Sequence, residues 1–227
     1  MKKEQYEIEI KSLLGTEENA DKLRSSLKEL DSTCALIATS TQLNHYFEGG
    51  DPRALLGDVG PLLTEEAQGK MERIAERGEN VSVRTRGVDG GARIVMKASL
   101  GDDSSANGVI RIEVDEEVSG LSLEELDARV LMAGYQYQAK WSRSREEYQV
   151  GETVVCLDKN AGYGYVAEFE RVIEDPADTE RVRDDLLSLM GRAGIEELSQ
   201  DRLERMFAHY NAHWQDYYGT DKVFNVE

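Results

Sequence analysis

Glu7, Glu9 and Lys11 alternate with Tyr6, Ile8 and Ile10 near the start of the chain. Residues at i, i+2 and i+4 of a β-strand point to one face, so the three charges share a face and the apolar residues take the other. Towards the other end, Glu168 and Glu170 share a face opposite Tyr165, Ala167 and Phe169. Further charged pairs at even spacing lie in the sequence between these two acidic pairs: Arg84 with Arg86, Arg93 with Lys97, Arg111 with Glu113, and Arg143 with Arg145. Lys140 is an odd number of residues from Arg143 and Arg145, so parity places it on the opposite face. One such motif is an ordinary solvated strand face with a cross-strand ion pair. Several on separate strands, sorted by sign, demand a common cause. If the faces turned into a barrel, buried like charges without partners would be very costly. The cations then call for an anionic guest and the carboxylates for cations. A polyphosphate with one or two Mg²⁺ or Mn²⁺ ions satisfies both, because hard divalent ions take carboxylate oxygens and leave positions for phosphate and water.

The elements that must position these residues are mostly strands. Strand-like runs cover 33–47, 80–88, 92–99, 108–118, 134–150, 152–159 and 163–174, besides the first. Asp89-Gly90-Gly91 and Asn160-Ala161-Gly162 read as short hairpin connections, so neighbouring strands pair antiparallel. Eight runs imply one large antiparallel sheet, curled or closed, in an α+β fold: an eight-stranded β-barrel with flanking helices. Helices are expected from Thr16 to Leu30, from Leu62 to Arg77 with Thr64 as N-cap, and from Ser122 to near Gly134 with a Ser122/Glu125 capping box. Two more span Pro176 to Met190 and Ser199 to about Tyr217. Leu131 and Met132 are read as core of the 122–133 helix. Residues 50–79 read as a helical insertion, and the whole of 1–227 as a single domain.

In this order the motifs resemble those of the CYTH proteins, the triphosphate tunnel metalloenzymes, a family that includes class IV adenylate cyclases, thiamine triphosphatases and inorganic tripolyphosphatases. Glu7-Ile8-Glu9-Ile10-Lys11 is similar to the family's E-x-E-x-K signature, and Asn44-His45-Tyr46-Phe47 falls where the family usually has aspartate-x-tyrosine. Arg84-x-Arg86 with Lys97, Arg111-x-Glu113, Arg143-x-Arg145-x-x-Tyr148, Cys156-Leu157-Asp158 and Glu168-x-Glu170 resemble the later motifs. The resemblance implies a triphosphate tunnel in which Glu7, Glu9, Asp158, Glu168 and Glu170 gather Mg²⁺ or Mn²⁺. Lys11, Arg84, Arg86, Lys97, Glu113, Arg143 and Arg145 would bind the triphosphate, and Glu9, Glu170 and Tyr46 would lie nearest the chemistry. Asn44 departs from the frequent aspartate, and the 50–79 insertion is longer than the hairpin expected there.

Composition narrows the alternatives. Lys and Arg number 27 against 45 Asp and Glu, a net charge of −18, which argues against a nucleic-acid binder. No apolar run approaches the roughly 18 residues of a membrane span. The start MKKEQYEIEIK has no apolar segment of a signal peptide, so the expectation is a cytoplasmic protein, monomer or homodimer, that partners a triphosphate-containing small molecule and neither nucleic acid nor membrane. Cys34 and Cys156 read as reduced thiols without catalytic partners. His209 and His213, at i and i+4, have zinc-compatible spacing but no further ligand cluster, so a surface or lid helix is favoured. Gly162-Tyr163-Gly164-Tyr165 leads into a strand rather than a helix and reads as a turn. Three functions fit: a metal-dependent triphosphatase, a class IV adenylate cyclase making cyclic AMP and pyrophosphate from ATP, and a non-catalytic polyphosphate-binding module.

Overall fold

Alternating apolar and polar residues dictate most of what the computed structural model contains; it describes residues 6–100 and 111–225. Its strands are β1 (Tyr6–Gly15), β2 (Ala35–Gly49), β3 (Gly78–Val88), β4 (Gly91–Leu100), β5 (Arg111–Glu117), β6 (Tyr135–Val150), β7 (Thr153–Asn160) and β8 (Gly164–Ile173). They form one eight-stranded antiparallel sheet in the order β1-β8-β7-β6-β2-β3-β4-β5. Among the described residues no hydrogen-bonded ladder joins the end strands β1 and β5. Residues 108–110 of the expected fifth strand lie outside the described residues, and Arg111 enters only as a backbone position paired with Ser99.

The α-helices are α1 (Glu17–Leu30), α2 (Pro52–Val59), α3 (Glu65–Arg77), α4 (Leu123–Met132), α5 (Thr179–Arg192) and α6 (Gln200–Tyr217). Their starts follow side-chain chemistry, since a hydroxyl oxygen at the N-cap satisfies an amide the helix leaves unpaired. Thr16 accepts from the Asn19 amide before α1, Thr64 from Ala67 before α3, and Ser199 from Arg202 before α6. Ser122 and Glu125 complete a reciprocal capping box at α4. The expected 50–79 insertion is α2, one turn of 3₁₀ helix and α3.

The chain divides into two compact units, Met1–Thr41 with Ser142–Glu227, and Gln42–Trp141. In the first, Ile10 and Leu14 of β1, Val155 and Leu157 of β7 and Ala167 and Phe169 of β8 bury one sheet face. Leu23 and Leu27 of α1 and Val182 and Leu186 of α5 cover it. Arg24 of α1 donates to both oxygens of Glu146, at 2.9 Å each, and fixes the even-numbered residues of this part of β6 on the helix side. In the second unit Phe47, Val83, Ile94, Met96, Ile112 and Val114 bury the helix-facing side of β2 to β5 against Leu55, Met71, Ile74, Leu126 and Val130. The β3–β4 turn, Asp89-Gly90, has positive φ at both residues (49° and 91°), the geometry of a tight hairpin that leaves Val88 paired with Gly91.

One core assignment is corrected. Leu131 and Met132 are exposed, Met132 to 76 %, and the buried stripe of α4 is Leu123, Leu126, Asp127 and Val130. The apolar members of the stripe, Leu123, Leu126 and Val130, keep helical spacing, and Leu131 and Met132 fall outside it.

Candidate functional site

In the first unit, strand alternation sends Lys11, Arg143, Arg145, Cys156, Asp158, Glu168 and Glu170 to the face away from the helices. The ladders then set neighbours: Glu9 pairs with Glu170 and Lys11 with Glu168 across β1–β8, Cys156 pairs with Glu168 across β7–β8, and Arg145 with Asp158 across β6–β7. Lys11 Nζ donates to Glu168 Oε1 at 2.7 Å and also contacts Glu9. Arg145 grips Asp158 at two points, Nε to Oδ1 and Nη2 to Oδ2, each 2.7 Å, and its Nη2 also contacts Glu168. Arg143 Nη1 donates to Asp158 Oδ2 at 2.8 Å. Asp158 is 1 % exposed, and both of its oxygens are engaged by guanidinium groups. Asp158, which the resemblance implies as a metal ligand, holds two arginines side by side.

Glu168 and Glu170, neighbours on one face, are shifted in opposite directions. Burial alone would raise Glu168, but Lys11, Arg145 and Arg143 outweigh it and hold its carboxyl well below the usual range. Burial and the negative charge of Glu168 push Glu170 up, with Glu7 adding to the same field. Cys156, on the strand alongside, is a thiol that burial pushes up further. The donor atoms of Cys156, Glu168 and Glu170 lie within 4.8 Å of one another, the one such group of three among the described residues. Two crowded carboxylates, one buried and one partly buried, with one disfavoured charge are a donor set that a divalent cation would relieve, so the residues fit the metal their types implied. Glu9 pairs with Lys11, and Glu7 is exposed.

In the second unit the face away from the helices is basic. Across β2–β3, Asn44 pairs with Arg86 and Tyr46 with Arg84. Arg84 Nη1 donates to the Tyr46 hydroxyl at 2.8 Å, with its guanidinium 5.5 Å from the ring centroid; its Nε is buried and has no partner among the described residues. Arg86 Nε donates to Asn44 Oδ1 at 3.0 Å and its Nη1 to Asp115 Oδ2 at 3.0 Å. Arg93 Nε donates to the other oxygen of Asp115 at 2.7 Å. Lys97 and Glu113 form a separate, half-exposed pair at 3.2 Å. Asp115 was not anticipated, although its alternation with Glu113 and Glu117 places it on this face. Lys140 lies 4.0 Å from Asp127 and 4.0 Å from the ring centroid of Tyr137, which is of opposite parity on the same strand, so strict alternation does not hold along this part of β6.

Behind the basic face a buried network fixes the two strands that carry it. Asp127 of α4 accepts from Thr85 Oγ1 at 2.5 Å and from the Tyr137 hydroxyl at 2.6 Å, with His45 Nδ1 at 2.6 Å. His45 and Thr85 alternate with Asn44, Tyr46, Arg84 and Arg86, so each residue held from behind sits next to one presented in front.

His209 and His213 lie 4.8 Å apart between ring centroids, and His209 packs against Phe224 and Tyr217. Tyr210 is fully buried and stacks on Tyr163, so this part of α6 belongs to an aromatic cluster beside the β7–β8 turn. Gly162 has no room for a side chain, since a Cβ would meet Tyr210 at 2.7 Å.

The sequence of residues 70–203, more than half of the chain, matches the CYTH domain. The chain belongs to the CYTH family. CYTH proteins are triphosphate-processing, divalent-metal-dependent enzymes. The matched segment includes Arg84 through Glu170 and leaves Glu7, Glu9 and Lys11 outside. Among solved structures, the PH1819 protein of Pyrococcus horikoshii OT3 is similar at a TM-score of 0.57 and 15 % identity, covering 90 % of this chain and 99 % of that one. The PH1012 protein of the same organism has a TM-score of 0.56 and 16 % identity over 84 % of this chain and 92 % of that one. A Vibrio parahaemolyticus protein described as a "putative adenylate cyclase" has a TM-score of 0.54 and 15 % identity over 90 % of this chain and 98 % of that one. At these identities the likeness is one of fold. No curated protein matches the sequence. No helix among the described residues is long and apolar enough to cross a membrane.

Proposed function

We propose that this CYTH protein hydrolyses an inorganic or organic triphosphate with the help of Mg²⁺ or Mn²⁺. The observation that carries the reading is the sorting of charge on the first unit's polar face. There, buried Glu168 and partly buried Glu170 adjoin one another while Arg143 and Arg145 are held in place by Asp158. Glu168 and Glu170, with Glu7 and Glu9, would hold the metal, which supplies charge neutralisation at the phosphoryl oxygens and acidifies a bound water. Arg143 and Arg145 offer guanidinium donors to phosphoryl oxygens. Arg84, Arg86, Arg93 and Lys97 supply the cations of the second unit's face. Phosphoryl transfer asks the protein for little beyond such positioning and neutralisation. Hydrolysis needs only water as the further reactant, whereas cyclisation also needs a ribose hydroxyl aligned on the α-phosphorus.

Tyr46 has a positioning role in this reading: its hydroxyl accepts from Arg84 and orients that guanidinium. The deciding experiment is product analysis with ATP, inorganic triphosphate and thiamine triphosphate, each with Mg²⁺ or Mn²⁺. Phosphate release that disappears with a chelator is expected. Cyclic AMP and pyrophosphate from ATP would replace the hydrolase by a cyclase; triphosphate binding without any product would leave a binding module.

A further inference from the structure

Metal selection at the carboxylate pair has a second chemical determinant. Cys156 occupies the β7 position directly opposite Glu168, on the same face as Asp158, because 156 and 158 share parity. Its side chain is 1 % exposed, and among the described residues its sulfur takes no hydrogen bond. The flanking Val155 and Leu157 point into the hydrophobic core, so the thiol is the member of this stretch turned towards the carboxylates. Its Sγ and the Glu168 and Glu170 oxygens lie within 4.8 Å of one another, a separation that one ion bonded to all three would span.

We propose that Cys156 is a sulfur donor to the ion held by Glu168 and Glu170, and that it biases this site towards thiophilic divalent ions such as Co²⁺ or Zn²⁺ relative to Mg²⁺. The inference rests on the metal-site reading given above and adds the donor that sets selectivity. Oxygen ligands alone suit Mg²⁺ and Mn²⁺, whereas a thiolate favours softer ions. On binding, the S–H bond is exchanged for a sulfur–metal bond and the proton leaves to solvent; no electron is transferred. Mg²⁺, which binds thiolate weakly, would use the carboxylates and leave the thiol protonated.

The test uses the whole, metal-free protein titrated with Co²⁺. A near-ultraviolet sulfur-to-cobalt charge-transfer band is expected in the native protein and in Cys34→Ser, and absent in Cys156→Ser. By calorimetry Cys156→Ser should lose roughly tenfold in Co²⁺ and Zn²⁺ affinity, the scale typical of a lost metal-site group, with Mg²⁺ affinity unchanged. If Cys156→Ser does not fold, Cys156→Val offers the same comparison at similar core volume. Co²⁺ binding without the band, a band that survives in Cys156→Ser, or an equal loss for Mg²⁺ and Zn²⁺ would each overturn the proposal. Phosphate release with Mg²⁺, assayed on the same samples, keeps the two readings apart. A missing band beside Mg²⁺-dependent hydrolysis sinks the sulfur donor alone, and a band without hydrolysis sinks the hydrolase alone.

Discussion

Arg145 and Asp158 face each other across β6 and β7 in a two-point ion pair, Nε to Oδ1 and Nη2 to Oδ2, with the carboxylate 1 % exposed. Arg143 reaches the same carboxylate. One buried anion thereby allows two guanidinium groups to stand on a single strand face, where alone they would repel.

Removing that anion is therefore costly in two ways. In Asp158→Ala, Arg145 keeps Glu168 as a partner but Arg143 and Arg145 lose their common one. Breaking a buried pair from one side costs on the order of 3–5 kcal/mol. Urea unfolding should show a loss of that size, and Asp158→Asn, which retains an acceptor oxygen, a smaller one. A loss below about 1 kcal/mol for Asp158→Ala would mean that water or Glu168 already supports the arginines.

Asp127 predicts a pH dependence. Burial raises it, but hydrogen bonds from His45, Thr85 and Tyr137 outweigh burial and hold it below its ordinary value. A carboxylate lowered in the folded state contributes stability above its unfolded value of about 3.9, and this is lost as pH falls through the lower folded value. Asp127→Asn should therefore be less stable than the native protein at pH 7, by about 2 kcal/mol. The gap should narrow below pH 4. Unfolding curves at pH 7 and pH 3 check this; a gap of equal size at both would show that the network acts through packing rather than charge.

Much of this architecture was legible because each signal was local. The alternation of Glu7 to Lys11 set β1 on a two-residue period, and hydroxyl caps at Thr16, Thr64 and Ser122 set the starts of α1, α3 and α4. What escaped depended on partners distant in sequence. Asp127 lies on the buried stripe of α4 because His45 and Thr85, about 80 and 40 residues earlier, supply its hydrogen bonds. Without them in view, Leu131 and Met132 looked like the better core. Asp115 looked like one acid among the many of a strongly acidic chain until Arg86 and Arg93 were found on its two oxygens. Cys156 shares parity with Asp158, but the carboxylates beside it come from the facing strand.

Tyr46 separates positioning from chemistry. Tyr46→Phe deletes the acceptor of Arg84 Nη1, whose Nε already lacks a partner among the described residues, and keeps the ring beneath the guanidinium. With triphosphate as substrate, KM should rise roughly tenfold, the cost of about 1.4 kcal/mol of lost binding, with kcat little changed. Arg84→Lys should reproduce the effect, because an ammonium cannot form the same planar contact. A fall in kcat of about a hundredfold at unchanged KM would return Tyr46 to the reacting atoms.

Metal removal should reverse the sign of one substitution. Burial and the charge of Glu168 raise Glu170, so its ionisation costs stability as pH rises through its folded value, and the cost is complete at pH 8. In chelator at pH 8, Glu170→Gln should accordingly melt higher than the native protein; at pH 4, where the carboxyl is protonated, the two should coincide. Saturating Mn²⁺ adds stability only to a chain that binds it, about 2.7 kcal/mol at a hundredfold excess over Kd. The native protein should then melt above Glu170→Gln, inverting the order seen in chelator. Thermal melts of both proteins with and without Mn²⁺ at pH 8 check the crossing. If Mn²⁺ raised both melting temperatures equally, Glu170 would not be a ligand, and its raised carboxyl would be a feature of burial alone.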